Sequence, residues 1–267
     1  MKNSIVICGD SFNVGIGCRD LANEPYGALL GKHLNKYVIN LAKGSSTNLS
    51  IYLQAKYVVD ELADKAELVI VSPTSYNRVE WFPFDYTHIH GGDLTNLDVN
   101  YHQYPPYGKD TYMTLLSHPY KDNHRYNGKM FTENYMGVID YWETFASKNK
   151  ESGYYARFND EPKERSKVLY DFAGMIFDEK IERLKCIGLM TMAHQLLKQA
   201  DIKHLILTHE LTEYKKFMNE DNLVELSWGD LSLSHPDDLP SLHTSAQGHE
   251  VAYNTVLDKI KKNEWVI

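Results

Sequence analysis

The sequence predicts an α/β three-layer sandwich, with helices on both faces of a central, mostly parallel sheet. Three observations carry this. Short apolar runs recur along the chain, segments with helical spacing separate them, and each early run ends in a turn-forming stretch. Strands that alternate with helices pair in parallel through crossovers, which is the logic of the three-layer sandwich.

Residues 4–8, Ser-Ile-Val-Ile-Cys, form a short buried strand that ends at Gly9. Residues 26–35 suit a helix with Leu29, Leu30 and Leu34 on one face. Residues 37–41 form the second strand and run into the turn Ala42-Lys43-Gly44-Ser45-Ser46. Residues 48–64 are helical, with Leu49, Leu53, Val58, Val59 and Leu62 as the apolar positions. Leu68-Val69-Ile70-Val71 is a third strand, a continuous apolar run of the kind buried on both faces. A long helix over 163–200 carries Val168, Phe172, Ile176, Ile181, Leu184, Ile187, Met190 and Leu197. Residues 203–208 make the fourth strand, 223–226 suit a short fifth, and 247–262 form a closing helix.

From about residue 81 to 161 the pattern breaks. The segment is rich in Tyr, His, Asn, Gly and Pro and keeps no period. It is a long insertion of loops and short helices within one domain spanning 1–267, and loops of that length usually serve as lids or partner surfaces. Many of the chain's 19 tyrosines lie in or beside it. A tyrosine offers a flat apolar face with a polar tip, which suits sugar stacking or a protein partner, although loop packing also uses it.

Charge and cysteine usage narrow the functional classes. The 28 basic and 36 acidic residues leave a net charge of −8, which argues against nucleic acid or an anionic membrane as partner. Cys8, Cys18 and Cys186 are odd in number and widely spaced, so reduced thiols are expected rather than a disulfide framework or a zinc site. No stretch approaches a membrane span, and no secretory signal is legible before Gly9. Synthesis in a cytoplasm is expected. A virion protein needs no signal peptide, so the place of action is a separate matter.

Four segments carry candidate chemistry. Gly9-Asp10-Ser11 follows the first strand, where ligands of an α/β sheet bind beyond the strands' carboxyl ends. Ser11 there is a candidate nucleophile beside backbone N–H groups that favour negative charge. Asn40 to Ser46 follows the second strand, and Gly44 lets a backbone N–H approach a developing oxyanion. Ser72-Pro73-Thr74-Ser75-Tyr76-Asn77-Arg78 follows the third strand with several side-chain donors, of which Arg78 is read as structural. Finally, His243 stands in a loop just before the last helix, where it can reach the first strand's end and accept the Ser11 proton. A nearby carboxylate would orient its imidazole.

In this order the four segments resemble the SGNH (GDSL-like) hydrolase family. Gly9-Asp10-Ser11-x-x-x-Gly15 is similar to its first block, Asn40 to Gly44 to its second, and His243-Thr244-Ser245-x-x-Gly248-His249 to its last. The resemblance implies a flavodoxin-like fold, Ser11 as nucleophile, His243 as base, and an oxyanion hole formed by Ser11 and Gly44 with a side chain from the third block. Two departures stand out. The third block is usually Gly-x-Asn-Asp, whereas Thr74-Ser75-Tyr76-Asn77 stands here, so Thr74 or Asn77 would supply the last donor. Pro240 occupies the position three residues before His243 where the family has Asp. Asp238 is then the candidate third member, with Asp237 or a backbone carbonyl as alternatives. Such variants look like those of bacteriophage-encoded members.

His88-x-His90, His102, His118 and His124 are too loosely spaced, in too loop-like a segment, to predict a metal site. No phosphate-cradling glycine loop is present, since Gly15-x-Gly17 is too short, and no cofactor is expected. The expectation is therefore a serine esterase removing an acetyl or other small acyl group, with an acylated glycan as preferred substrate. Its rivals are an inactive structural or glycan-binding module of a larger assembly such as a virion, and an O-acyltransferase using the same pair. The Tyr-rich insertion would contact any assembly partner.

Overall fold

The structure, a computed structural model, describes residues 2–42, 46–76, 112–114, 179–209, 212–237 and 243–267. The elements run β1 (Ser4–Cys8), α1 (Ser11–Val14), α2 (Tyr26–Leu34), β2 (Tyr37–Asn40), α3 (Asn48–Glu61), β3 (Ala66–Val71) and β4 (Tyr112–Thr114). Then follow α4 (Glu179–Gln199), β5 (Lys203–Leu207), β6 (Leu223–Val224), α5 (Trp228–Ser234) and α6 (Ala246–Lys262). The strands form one sheet in the order β4-β2-β1-β3-β5-β6, and every pairing is parallel. Helices cover both faces, so the molecule is the three-layer α/β/α sandwich that the strand–helix alternation predicts.

The strands divide their side chains between two cores because successive residues point to opposite faces. Ile5 and Ile7 of β1, Leu68 and Ile70 of β3, and Leu205 and Leu207 of β5 pack on one face with α2, α5 and α6. Val6 and Cys8, Val69 and Val71, and Ile206 pack on the other with α3 and α4. Each fully buried aliphatic side chain contributes about 1.5–3 kcal/mol. Cys8 and Cys186 are buried free thiols and Cys18 is half-buried. Burial, helped by Glu24 and Asp20, pushes the Cys18 thiol up to about 12.

Close approach of α2 to the sheet depends on two glycines one turn apart. A Cβ on Gly27 would lie 2.1 Å from Ile7 Cδ1, and one on Gly31 would lie 2.3 Å from Val38 Cγ2. The face of α2 on the sheet is therefore Tyr26, Gly27, Leu30 and Gly31 rather than a leucine stripe; Leu29 and Leu34 are only half-buried. Small residues carry no hydropathy signal, so the sequence misplaces this face by part of a turn.

Three further differences have local causes. In α4 the buried face is Cys186, Ile187, Met190, Ala193 and Leu197, while Ile181 and Leu184 point outward, 51% and 64% exposed. They are apolar but out of phase with that face. Helix α5 was not expected; it is only seven residues long and is started by Ser227, whose hydroxyl accepts the Asp230 N–H. Tyr112–Thr114 lies in the segment read as loops and short helices, yet forms β4 against β2. Three residues are too few to show a period, and the open edge of β2 supplies the partner. The rest of the insertion and the first half of the expected 163–200 helix lie outside the described residues.

Strand order decides where a ligand can sit. The chain moves from β1 to β2 on one side, then returns to β3 on the other. The crossovers diverge between β1 and β3, and the crevice of such a sheet opens beyond the carboxyl ends of those two strands. Among the described residues, no helix is long and apolar enough to cross a membrane.

Candidate active site

Chain geometry at the end of β1 is set by backbone satisfaction. The Gly9 N–H donates to Gln54 Oε1 at 2.7 Å, and the Gly9 carbonyl accepts from Gln54 Nε2 at 3.2 Å. One side-chain amide from α3 thus takes both backbone polar groups of the residue at which the sheet ends. The same Nε2 reaches Ser46 Oγ at 3.2 Å, which ties the turn after β2 to the turn after β1.

Asp10 caps α1. Its backbone is extended, and its Oδ1 accepts the Phe12 N–H at 3.1 Å and Asn13 Nδ2 at 3.2 Å. Its Oδ2 accepts the Thr74 hydroxyl at 2.7 Å. Because Asp10 is the cap, Ser11 is the first helical residue, whose N–H has no acceptor within the helix. The single turn ends at Gly15, which adopts a left-handed φ of 94°. Deeper in, Asn13 Oδ1 accepts the Tyr26 hydroxyl at 2.9 Å, and Asn40 Nδ2 donates to the Asn13 carbonyl at 2.7 Å.

His243 reaches this turn from the far end of the sequence. His243 Nε2 lies 2.8 Å from Ser11 Oγ. With the imidazole proton on Nδ1, Nε2 accepts the Ser11 O–H. Ser11 is buried and His243 half-buried. The loop that carries His243 is closed by an antiparallel bridge between Pro236 and Thr244, and by the Asp237 N–H donating to the His243 carbonyl at 3.2 Å. The Thr244 hydroxyl contacts the Leu231 and His235 carbonyls at 3.1 and 2.9 Å.

Two glycines permit this seat. A Cβ on Gly248 would fall 1.8 Å from Thr244 Oγ1, and one on Gly17 would fall 2.3 Å from the Thr244 carbonyl. The loop after α1 therefore rests directly on the backbone next to His243.

The structure brings Ser11 and His243 together. It also places Thr74 just beyond the end of β3, beside Asp10. Its hydroxyl is donated to Asp10, and its N–H is donated to Asn48 Oδ1 at 3.0 Å. Both donors are taken. Asn48 Nδ2 also donates to the Thr74 carbonyl at 3.1 Å, so the backbone of Thr74 is gripped from both sides. Gly44, Asn77 and Asp238 lie outside the described residues, as do the histidines of the insertion.

Sequence reasoning passed over Asp10, Asn48 and Gln54. Asp10 stands inside the motif, where a Gly-Asp-Ser tripeptide also reads as a plain turn. Asn48 and Gln54 sit in a helix whose only legible signal is apolar spacing.

Asp10→Ala is expected to cost about 2–4 kcal/mol, combining a lost cap of about 1 kcal/mol with the Thr74 and Asn13 groups left unpaired. Denaturant midpoints of the variant and of the parent protein check this. An unchanged midpoint would mean that the Asp10 network does not hold the turn.

No protein-family model matches the chain, and no curated protein gives a significant match. Fold and site by themselves define the class: a parallel α/β sandwich with a hydrogen-bonded Ser–His pair at the carboxyl edge of its central strand.

Proposed function

We propose that the protein is a serine esterase of the SGNH (GDSL-like) type. The single observation that carries the reading is the 2.8 Å contact between Ser11 Oγ and His243 Nε2, made at the strand end where crossovers diverge. A plain turn serine has no need of a histidine brought from 232 residues away.

Ser11 Oγ attacks the acyl carbonyl while its proton passes to His243 Nε2. The oxyanion is held by the N–H groups of Ser11 and Gly44, with Asn77 as the candidate side-chain donor now that Thr74 is committed to Asp10. Collapse expels the alcohol, which takes the proton from His243. Water, activated by His243 in turn, then releases the acid from the acyl-enzyme. Asp238 is the candidate that orients His243, with Asp237 or a backbone carbonyl as alternatives. A small acyl group on a carbohydrate is the proposed substrate, on the strength of the Tyr-rich insertion. An inactive module of a larger assembly such as a virion is the second reading, and the commitment of Thr74 away from the oxyanion position is what favours it.

The two readings separate on one experiment. The folded full-length chain is treated with a serine-directed fluorophosphonate, and p-nitrophenyl acetate is supplied in parallel. The esterase reading expects one adduct on Ser11 and acetate release above the blank. Neither adduct nor release would leave the inactive module.

A further inference from the structure

We infer that Phe12 is a positioning residue for His243, holding the imidazole against Ser11 from the flank. The inference rests on the Ser–His reading above. The backbone next to His243 is tied down by the Pro236–Thr244 bridge and the Thr244 hydroxyl, while the imidazole keeps its own two side-chain torsions. The flank of the ring is one place where packing can hold it on the serine.

Phe12 occupies that place. Its ring centroid lies 4.8 Å from that of His243, at an interplanar angle of 47°. Phe12 is also the residue after the nucleophile, so one helical turn carries both the serine and the wall of its base. That turn is oriented by Asp10, which accepts the Phe12 N–H.

The wall cannot retreat. Behind Phe12 lies Trp228, stacked on it at 5.5 Å and 12°. Trp228 is fully buried, and its indole N–H donates to Ser72 Oγ at 2.9 Å. Tyr26 and His249 pack on it at 5.6 and 5.4 Å. A chain of contacts thus runs from the end of β3 through Trp228 and Phe12 to the imidazole. Phe12 itself is only half-buried, although it packs against the core. A residue serving the core alone would have no need to present its ring to His243. The apolar wall also denies water one flank of the imidazole, which keeps the Ser11 hydrogen bond from being exchanged for a solvent one.

The test compares Phe12→Ala, Phe12→Leu and Phe12→Tyr in the full-length chain. The first readout is the rate of fluorophosphonate labelling at Ser11. The second is the nuclear Overhauser effect between the His243 ring protons and the Ser11 Hβ protons, which weakens as the imidazole leaves the serine. Phe12→Ala is expected to slow labelling about 10- to 100-fold, since a small misplacement of a reacting group has that effect. Phe12→Tyr, which keeps the ring, is expected to restore it. Phe12→Leu keeps bulk without the ring and is expected to lose rate in the same direction, so the test stands if the alanine variant fails to fold. The Overhauser effect is expected to weaken in the alanine and leucine variants and to stay in the tyrosine variant. A folded Phe12→Ala or Phe12→Leu protein labelled at the wild-type rate would overturn the inference. If the wild type itself is not labelled, the esterase reading falls, and the Overhauser effect alone decides: an unchanged effect in the leucine variant overturns the positioning role.

Discussion

Ser11→Ala is expected to lower turnover of an activated acyl ester by at least about 10⁴-fold while the protein stays folded. On the proposed mechanism the alanine lacks the oxygen that would form the acyl-enzyme, and no hydroxyl of a described residue other than Ser11 is hydrogen-bonded to His243. His243→Ala is expected to fall nearly as far, because the serine hydroxyl loses its acceptor. The double variant is expected to lose little more than either single one, since the proposed mechanism has the two groups act as a unit. Steady-state hydrolysis of p-nitrophenyl acetate, with circular dichroism to confirm folding, measures all three. Turnover by Ser11→Ala at the wild-type rate would remove Ser11 from the chemistry. Two single losses that multiply in the double variant would show that the pair does not act together.

Acid is expected to destabilise the fold well before its carboxylates titrate, through buried histidines. His204 Nδ1 donates to the Ile202 carbonyl at 2.7 Å, so its proton sits there. Its Nε2 must then accept from His194 Nδ1, 2.8 Å away. Adding a proton to His204 would set two N–H groups against each other. Burial lowers His204 to about 4, against the opposing bond to Ile202 and with help from His194 and the Lys198 charge; burial and Lys198 lower His194 as well.

His249 is fully buried between Tyr26 and Trp228, and its Nδ1 accepts the Tyr26 N–H at 3.4 Å. Burial, with a smaller effect of His243, lowers it to about 4. All three shifts are downward, so the unfolded chain binds more protons below its own histidine range, about 6.5. Stability is therefore full above that range and is lost as pH falls through it toward 4.

A shift of this size is worth about 3 kcal/mol for each of His204 and His249, against a total stability of about 5–15 kcal/mol. Denaturant midpoints taken at steps from pH 7.5 to 4.5 are expected to hold steady and then fall by several kcal/mol equivalents. His249→Gln keeps an acceptor for Tyr26 without titrating, and is expected to flatten that fall. A midpoint that stays constant down to pH 4.5 would show that these histidines do not govern acid stability.

Much of the framework was legible because its cause is local. Ile5-Val6-Ile7 and Leu68-Val69-Ile70-Val71 are too apolar to be anything but buried, and their alternation with helices forces parallel crossovers. The position of Ser11 follows as well, since Gly9 ends a strand and opens a turn at the carboxyl edge of the sheet.

Elsewhere the local signal misled or fell silent. Leu29 and Leu34 are apolar, but the sheet takes Gly27 and Gly31 because only their missing side chains let α2 come close. The Thr74 hydroxyl is bonded to Asp10, a partner that no local pattern announces.

What separates the two cases at the site is distance along the chain. Gly-Asp-Ser, a glycine after the second strand and a late histidine place the candidate chemistry from the sequence alone, because each needs only its own strand end or turn. The tertiary structure alone decides how those pieces are held. Asp10 takes the Thr74 hydroxyl across 64 residues, Gln54 clamps Gly9 across 45, and Trp228 reaches Ser72 across 156. These partners are chosen by which strand ends the sheet order brings side by side, and polar or aromatic side chains meeting at that edge leave no periodic trace in the sequence that precedes them.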